Sequence, residues 1–427
     1  MQVAVLGAGV VGVTTAYYLT EAGHDVTVLD SKDQVAAGCS FANGSQLSYS
    51  YTDTMATPAF LAKLPRILAG LDTGIRYRAP LSLDLLRWGG AFLAQCTTKK
   101  AVLNTLAALH MAQRSKQLLA QLKGHLNDDF SYRAAGKLVL LSHEKDRQTA
   151  LRSCELKASH GCDSSVIGLN EACDIEPAVT HMTGNYTAAV YSPGDDVGDA
   201  NAFTQSLANY LLQNTQCKFL LSTDVTELIA EKRRIRSVIT SRGELSADAV
   251  VVCLGADSPG LLKPLGIQSK ILPVRGYSLT APPGPHANAV SVTDLAGRFV
   301  ICRNGENMRI AGFADFVGFA TAADSRRLEQ LAGLARLRAP QAADLTSRPI
   351  RRWGGFRPLT PAGRPLIGAT HIKGLHLNTG HGSLGWTLAC ASAEALVSSI
   401  LPAARSSQSP DRQLRSDSPV AVDQEIA

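Results

Sequence analysis

The chain has 427 residues, 45% of them hydrophobic, and a formal net charge of +6 at neutral pH. This length predicts two domains, or one large α/β domain that carries an inserted one. No run of about 18 apolar residues occurs, which argues against a membrane-spanning helix. The nine cysteines follow no C-x-x-C spacing, so we expect reduced thiols rather than a zinc site or a disulfide framework. We also expect no metal and no nucleic-acid partner.

The first thirty residues carry the most informative motif. An apolar strand over residues 3–6 leads into a G-x-G-x-x-G turn, a helix, and a second strand that ends at Asp30. In such a βαβ unit, Gly7 allows the tight turn, Gly9 lets a pyrophosphate approach the backbone, and Gly12 lets the helix lie close to the strand. The helix N-terminus then faces the phosphates, and the Asp30 carboxylate can accept hydrogen bonds from ribose hydroxyls.

This unit predicts a bound dinucleotide but does not choose between NAD and FAD. Its predicted cofactor contacts are Val3, Leu6, Gly7, Ala8, Gly9, Val10, Val11, Gly12, Asp30 and Ser31. Because the strand starts so near the beginning of the sequence, we expect no cleaved signal peptide before it. The expected location is therefore the cytoplasm.

Further along the chain, the pattern predicts a loop and helices before it returns to strands. Residues 39–58 are rich in small polar residues and predict an extended loop. Residues 60–126 predict helices broken at Pro65 and Pro80, the longest being Asn104–Leu126. The remaining predicted strands are 136–142, 188–192, 217–221, 225–229, 235–241, 247–254, several short ones over 272–310, and 375–377. Helices are predicted over 201–214 and 386–400, and a disordered tail over 402–427.

The positive charge is concentrated in one segment. Residues 59–100 contain seven basic and two acidic residues, a balance of +5. A solvated face on helices of a substrate-binding domain explains this charge. Apolar residues also alternate with the bases, which suits peripheral attachment to an anionic membrane surface. Both interpretations stay open at this stage.

Three further motifs favour a flavin as the dinucleotide. A buried strand over residues 247–254 ends in Gly255, where a cofactor could approach the backbone. The segment 375–387 places three glycines within six residues directly before a helix, so N–H donors collect at a positive helix terminus. Such a terminus suits the negative charge of a reduced flavin. The backbone of Val225 could pair with adenine. Nucleotide-binding pieces thus occur at the start, middle and end of the chain, an interleaving typical of FAD proteins.

At several of these places the sequence resembles a known family. The similar segments are S-F-A-N-G-S-Q-L-S at 40–48, P-G-D at 193–195, and residues 275–280, 357–363 and 378–387. They resemble those of bacterial D-amino acid dehydrogenases, flavoproteins of the D-amino acid oxidase and glycine oxidase superfamily. The similarity runs in order from residue 1 to residue 400. Two turns depart by small changes: N-G-S-Q stands for N-A-G-Q at 43–46, and P-A-G for P-D-G at 361–363.

The resemblance implies an α/β fold. A Rossmann-like FAD-binding domain is interleaved with an α+β substrate domain that contains an antiparallel sheet. We assign residues 1–48, 195–267 and 350–401 to the first domain, and residues 49–194 and 268–349 to the second. The implied further contacts with FAD are Ser40, Asn43, Gln46, Leu47, Ser48, Val225, Gly255, Gly380, His381, Gly382, Ser383, Leu384 and Gly385.

The implied reaction is oxidative deamination of a D-amino acid such as D-alanine. A hydride passes from Cα to flavin N5, and the imine hydrolyses to a 2-oxo acid and ammonia. Orientation of the substrate carboxylate supplies much of the rate, and arginine suits this task through its bidentate fork. The resemblance places such an arginine at Arg303, with Arg309 as the runner-up. Tyr277 and Tyr51 are candidates to hydrogen-bond the carboxylate or cover the substrate, and His381 to donate a hydrogen bond near the flavin.

Other functions stay open on the sequence. An enzyme of the same fold could act as an oxidase or dehydrogenase of glycine, sarcosine, D-proline or hydroxyproline. From other classes, an NAD(P)-dependent reductase and a non-catalytic flavin-binding subunit are alternatives. The resemblance also implies that electrons pass to a quinone or another non-oxygen acceptor. Together with the basic segment, this suggests contact with the cytoplasmic face of the inner membrane.

Overall fold

The computed structural model describes residues 1–126, 129–319, 324–346 and 350–400. Within these ranges the strands are β1 (Gln2–Leu6), β2 (Asp25–Leu29), β3 (Gln46–Leu47), β4 (Ile75–Tyr77), β5 (Lys137–Leu141), β6 (Ser165–Gly168), β7 (Ala188–Ser192), β8 (Asp196–Val197), β9 (Lys218–Leu220), β10 (Val225–Glu231), β11 (Arg234–Thr240), β12 (Gly243–Ser246), β13 (Ala249–Val252), β14 (Leu272–Ala281), β15 (Ser291–Asp294), β16 (Phe299–Asn304), β17 (Asn307–Phe316), β18 (Arg351–Leu359), β19 (Leu366–Ala369) and β20 (Leu375–Thr379). The α-helices are α1 (Val10–Glu21), α2 (Pro58–Leu68), α3 (Leu83–Gln95), α4 (Thr98–Leu122), α5 (Glu144–Ala158), α6 (Leu169–Ile175), α7 (Ala200–Asn214), α8 (Ser258–Leu262), α9 (Ser325–Arg338) and α10 (Gly385–Ile400).

A six-stranded sheet of order β19-β20-β13-β1-β2-β9 carries the N-terminal motif. Its neighbours pair in parallel, except that β19 runs antiparallel to β20. Strands β1 and β13 are apolar almost throughout because both of their faces are buried. Helices α1, α4, α7 and α10 supply the core on one face, and the β10-β11-β12 sheet packs on the other. The carboxyl ends of β1, β2 and β13 meet at one edge, where ligands bind in open α/β sheets.

A second, larger sheet has the order β18-β14-β17-β16-β15-β5-β7-β6, and β4 pairs with β17. Its pairs are antiparallel, except for β15 with β5 and β17 with β4. Helices α6 and α9 cover one face and complete an apolar core with it. The short strands β3 and β8 pair with each other in antiparallel orientation.

The structure confirms the α/β fold with parallel and antiparallel sheets. Most predicted strands and the helices α7 and α10 lie within a few residues of their expected positions. Strand β18 has no counterpart among the predicted strands. It pairs with β14 in the antiparallel sheet, although we assigned residues 350–401 to the FAD-binding domain. The tail predicted over 402–427 lies outside the described residues.

The helical segment differs from the prediction in two respects. Pro65 does not break a helix but lies inside α2; α2 runs along the surface, so water can satisfy the carbonyl that lacks the proline N–H. Helix α4 starts at Thr98 rather than Asn104, because the Thr97 side chain accepts a hydrogen bond from the Lys100 N–H and caps it there. Helix α9 and strands β4 and β18 had no clear signal in the sequence.

Candidate active site

A cavity of about 1110 Å³ lies between the two sheets. At one end it is lined by the N-terminal glycine turn, and at the other by residues of β14, β17 and β18. Its volume exceeds what a drug-sized ligand fills. The cavity therefore has room for an extended dinucleotide together with a small substrate.

The glycine turn has the geometry that a pyrophosphate requires. A Cβ on Gly12 would lie 1.8 Å from the Gly7 carbonyl oxygen, so only glycine lets α1 come this close to β1. A Cβ on Gly9 would meet no protein atom nearer than Ser40 Oγ at 3.5 Å, so Gly9 opens towards the cavity. Ser40 Oγ accepts a hydrogen bond from the Val10 N–H at 3.0 Å. These contacts leave the first turn of α1 facing the space where phosphates would bind.

Asp30 ends β2 beside this turn. Its Oδ2 accepts a hydrogen bond from the Ala8 N–H at 2.7 Å, and its Oδ1 accepts one from the Lys32 N–H at 2.9 Å. Asp30 and Val225 both line the cavity. Each carboxylate oxygen retains a lone pair, so the contact with ribose stays a prediction that the geometry permits.

The predicted cofactor contacts divide into lining and supporting residues. Residues that line the cavity are Gly7, Gly9, Val10, Val11, Asp30, Ser31, Ser40, Asn43, Gln46, Ser48, Val225, Gly255, His381, Gly382, Ser383, Leu384 and Gly385. Those not among the lining residues are Val3, Leu6, Ala8, Gly12, Leu47 and Gly380. Val3, Leu6 and Leu47 are core side chains instead, and their role is to hold the lining segments in place.

Residues 381–385 of the C-terminal glycine segment also line the cavity. Gly380 and Gly382 have φ of +81° and +58°, a left-handed conformation that favours glycine. His381 Nε2 and Asn378 Oδ1 are buried, have no hydrogen-bond partner among the described residues, and belong to residues that line the cavity. Burial lowers the pKa of His381 to about 3, so its ring is neutral. Unpartnered polar atoms beside a helix N-terminus fit the polar edge of an isoalloxazine ring.

The two tyrosines line the cavity, but they are held differently. The Tyr277 hydroxyl donates to Asp315 Oδ2 at 3.0 Å, and burial raises the pKa of Tyr277 to about 12. Because that proton is already engaged, Tyr277 has none left to donate to a substrate carboxylate. Tyr51 places its ring 4.3 Å from Lys137 Nζ, and its hydroxyl stays available.

Neither Arg303 nor Arg309 is among the residues that line the cavity, in contrast to the expectation, and their role as a carboxylate clamp stays a prediction. Side chains alternate along β16: Cys302 faces the 40–48 loop through its bond to the Gly44 carbonyl, so Arg303 points to the other side. There its Nε donates to the Gly305 carbonyl at 3.2 Å, and its guanidinium pairs with Glu306 at 4.0 Å.

Arg309 pairs with Cys302 across β17 and does face the loop. It is buried, however, and donates from Nη1 to the Asn43 carbonyl at 2.9 Å. The second nitrogen of its guanidinium lies 3.8 Å from Asp199. Arg309 therefore anchors the loop that lines the cavity, and it is not one of the lining residues.

The structure brings other cations to the cavity. Arg275, Arg357 and Lys137 line it, and the sequence motifs did not single them out as candidates. The Arg357 Nη1 donates to the Phe313 carbonyl at 2.7 Å, and a Cβ on Gly276 would lie 2.6 Å from its guanidinium carbon. Glycine at 276 thus makes room for this side chain. The available signal was the pair of motifs R-G at 275–276 and R-P at 357–358, which β14 and β18 align.

One side of the shared cavity is formed by a parallel sheet with a glycine turn suited to a nucleotide. The other side is an antiparallel sheet with cations that line the cavity. This arrangement is that of a dinucleotide-dependent oxidoreductase. Residues 2–399 match the family model described as FAD dependent oxidoreductase. The chain belongs to this family, DAO, which confirms FAD as the cofactor and decides against a nicotinamide enzyme.

Similar proteins carry consistent names. A D-amino acid dehydrogenase 2 of Ralstonia nicotianae is 37% identical over 409 residues, which cover 94% of this chain and 96% of the relative. A D-amino acid dehydrogenase of Paramagnetospirillum magneticum is 35% identical, covering 92% and 93%. These relatives confirm the resemblance found in the sequence.

Solved structures share the fold. The L-proline dehydrogenase of P. horikoshii aligns with a TM-score of 0.72 at 20% identity, over 93% of this chain and 92% of that one. The glycine oxidase of Geobacillus kaustophilus aligns with a TM-score of 0.71 at 19% identity, over 93% and 94%.

Proposed function

We propose that this protein catalyses the FAD-dependent oxidative deamination of D-amino acids, such as D-alanine, to 2-oxo acids and ammonia. Relatives that cover nearly the whole chain are named D-amino acid dehydrogenase, and the cavity has cations at the end opposite the glycine turn. Bound FAD would supply the hydride acceptor, N5 of its isoalloxazine ring. The glycine turn and α1 would hold its pyrophosphate, and the 380–385 segment would lie beside the ring.

The observation that carries the proposal is the Arg357 guanidinium. Among the described residues, no carboxylate oxygen lies within the 4.0 Å limit of an ion pair with it, although it lines the cavity. Burial lowers the pKa of Arg357, yet an arginine stays protonated. Arg357 is half-buried; a cation held partly away from water without a counter-ion is costly, and a substrate carboxylate would supply one through a bidentate pair. Arg357 thus replaces Arg303 as the proposed carboxylate clamp.

The remaining groups orient the substrate rather than exchange protons with it. Asp53 and Asp294 line the cavity, but Asp53 is paired with Lys157 at 2.7 Å and Asp294 with Arg338. With both carboxylates engaged, neither is poised as a general base. Deprotonation of the substrate amine before binding fits this arrangement, because its lone pair then drives hydride loss.

An anaerobic titration of the purified holoenzyme tests this proposal. D-alanine is expected to bleach the visible flavin absorbance, and L-alanine is the matched control of opposite chirality. Bleaching by glycine, sarcosine or D-proline in preference to D-alanine would move the activity to one of those amines. A yellow protein that no amino acid bleaches would be a non-catalytic flavin-binding subunit, and the proposal would be wrong.

We further propose that electrons leave to a quinone or another non-oxygen acceptor at a membrane surface. No helix of the described ranges is both long and apolar enough to cross a membrane. Membrane contact is supported by the 59–100 segment, which carries most of the excess positive charge. Within it, Leu81 and Leu83 are 77% and 70% exposed. Exposed leucines beside bases suit an anionic lipid surface. The location would then be the cytoplasm with peripheral contact to the inner membrane.

Vesicle sedimentation tests the contact. The protein should sediment with vesicles containing anionic phosphatidylglycerol at low salt and be released at high salt. The double variant Leu81→Glu with Leu83→Glu should bind less than wild type. No sedimentation at low salt would remove the membrane contact. Reduction of dye and of a quinone analogue without oxygen consumption would support the acceptor.

A further inference from the structure

The tryptophans of the chain differ in their surroundings. Trp88 and Trp386 are 7% and 4% exposed, and their indole N–H groups donate to the carbonyls of Leu359 and Gly198, each at 3.0 Å. Trp353 on β18 lines the cavity and, unlike the other two, is only half-buried. Core packing therefore accounts for the first two rings but not for Trp353, whose large apolar surface is presented to the cavity.

A glycine fixes the direction of the Trp353 ring. A Cβ on Gly355 would lie 2.2 Å from Cη2 and 2.3 Å from Cζ2 of the indole, so only glycine leaves room for the ring there. Residues 353, 355 and 357 share one face of β18, because side chains alternate along a strand. The indole therefore extends along the strand over Gly355, in the direction of Arg357.

The neighbouring strand brings the Arg357 guanidinium to the same place. Gly276 on β14 pairs directly with Gly355, and a Cβ on Gly276 would lie 2.6 Å from Cζ of Arg357. The Cβ positions of directly paired residues are about 4.5–5.5 Å apart, so Cη2 of Trp353 and Cζ of Arg357 are at most about 10 Å apart. A carboxylate on the guanidinium and a side chain packed on the indole can fill this distance together.

A bulge in β17 holds the guanidinium in position. The pairing of β14 with β17 shifts by one residue between Arg275 and Tyr277, and at the bulge Phe313 has φ of +65°, a conformation that bulky residues rarely adopt. The Phe313 carbonyl accepts the bond from Arg357 Nη1 at 2.7 Å. One edge of the guanidinium is thus fixed, and this determines where a bound carboxylate, and the Cα attached to it, would lie.

Along β18, Trp353 and the segment assigned to the flavin lie on opposite sides of Arg357. Leu359, at the C-terminal end of the strand, forms a bridge with His381. Trp353 precedes Leu359 by about 20 Å of extended strand, and Arg357 stands between them. A substrate whose carboxylate pairs with Arg357 can therefore turn its Cα towards the 381–385 segment and its side chain towards the indole.

We propose that Trp353 forms the side-chain subsite for an aromatic D-amino acid, such as D-phenylalanine, whose α-carboxylate pairs with Arg357. This inference rests on the proposed function and names its preferred substrate class. The substrate ring packs on the indole in an edge-to-face or offset arrangement. Gly355 and Gly276, which carry no Cβ, leave the space between the indole and the guanidinium open for the rest of the substrate.

The test compares D-phenylalanine with D-alanine in the purified holoenzyme, because the two differ by one phenyl ring. Wild type should show a kcat/KM about 10–100-fold higher for D-phenylalanine, the effect of burying that ring. Trp353→Leu removes an aromatic pair and should lower this ratio about 3–10-fold, while kcat/KM for D-alanine stays within about threefold of wild type. Trp353→Phe, which keeps a ring, should keep most of the ratio. The control Phe319→Leu, at an exposed ring that is not among the lining residues, should keep all of it.

A binding experiment gives a readout that does not depend on activity. Propanoate and 3-phenylpropanoate are the two substrates without their amino groups. The phenyl compound should perturb the flavin spectrum of the wild type at about 10–100-fold lower concentration than propanoate. Trp353→Leu should narrow this difference about 3–10-fold, whereas Arg357→Met should weaken the binding of both acids, because both need the guanidinium.

Three outcomes would overturn the inference. One is a wild type that does not prefer D-phenylalanine to D-alanine, or 3-phenylpropanoate to propanoate. The second is a Trp353→Leu variant that keeps the wild-type ratio. The third is a Trp353→Leu variant that loses activity equally with both substrates, which would place the ring beside the flavin instead.

If Trp353→Leu is not obtained folded with its flavin, the wild-type preferences in the two experiments decide. Failure of the proposed function is distinct, because then no D-amino acid, D-alanine included, would bleach the flavin.

Discussion

Replacing Gly9 with alanine separates cofactor binding from folding. Gly9 has φ of −75°, so alanine is not strained there, and the new Cβ would meet only Ser40 Oγ, at 3.5 Å. The methyl group would instead occupy the face that opens to the cavity. Gly12→Ala differs, because its Cβ would lie 1.8 Å from the Gly7 carbonyl oxygen, and helix α1 would have to move away by at least about 1 Å.

The two variants should therefore fail in different ways. Backbone N–H bonds to a phosphate are charge-assisted and contribute about 1.5–3 kcal/mol each. Losing one in Gly9→Ala should weaken the Kd for FAD about 10–100-fold and leave the Tm of the flavin-free protein nearly unchanged. Gly12→Ala should also cost about 1–3 kcal/mol of folding stability through overpacking, which lowers the Tm by several degrees.

The assay titrates FAD into deflavinated protein and follows quenching of tryptophan fluorescence, since Trp353 and Trp386 line the cavity. Thermal unfolding of the flavin-free variants supplies the Tm. Gly90→Ala in α3, where a Cβ would meet nothing within 4 Å, is the matched control and should keep the wild-type Kd. A Gly9→Ala protein that binds FAD within threefold of wild type would refute this account of the turn.

Three further outcomes are expected. Arg357→Met should lower kcat/KM for D-alanine at least about 100-fold, because it removes a bidentate pair with the substrate carboxylate. The control Arg303→Met, at the exposed hairpin, should change kcat/KM less than about threefold. Equal losses of kcat/KM in the two variants, measured in a dye-coupled assay, would contradict Arg357 as the carboxylate clamp. Asp315→Asn should cost about 3–5 kcal/mol in urea unfolding, because it leaves the buried Arg327 guanidinium uncompensated and removes one of the two carboxylates that pair with Arg76. Glu329→Gln, in an exposed pair, should cost under about 1 kcal/mol. The pKa of His381 is about 3 in the folded protein and about 6.5 in the unfolded chain, so only the unfolded state gains a proton as pH falls from 6.5 towards 3, and the folded state loses stability. The Tm of His381→Asn should therefore fall less than that of wild type between pH 6.5 and 4. The same dependence of Tm on pH in both proteins would contradict a buried neutral ring.

Sequence patterns predicted the parts of the protein that are fixed by interactions between residues close together in the chain. The turn from Gly7 to Gly12, its strands and Asp30 lie within thirty residues, so steric and hydrogen-bonding requirements at close range specify them. Strand β7 was predicted with its observed bounds because a short apolar run that stops at the Pro193–Gly194 turn indicates a strand directly. Helix α9 was missed, since its mean polarity is high and its apolar residues face β14 and β17 only after folding.

The direction of the Arg303 side chain is a feature that local patterns could not predict. A side chain on a strand faces one of two sides, and a shift of one residue reverses it. Nothing near Arg303 in the sequence indicates that Cys302 rather than Arg303 faces the loop. Arg357 reaches the cavity only because β18 pairs with β14 and places Gly276 beside its guanidinium, a contact between residues far apart in the chain.

By itself, then, the order of residues determined the cofactor and the enzyme family, because a dinucleotide is held by short glycine-rich segments whose spacing is visible in the chain. Only the tertiary structure shows which cations line the cavity. The function of a charged side chain on a strand depends on which face of the sheet it occupies and on whether a carboxylate of the protein already neutralises it. Arg357 became the proposed clamp because folding placed it beside the cavity and left it without a carboxylate within ion-pair distance among the described residues.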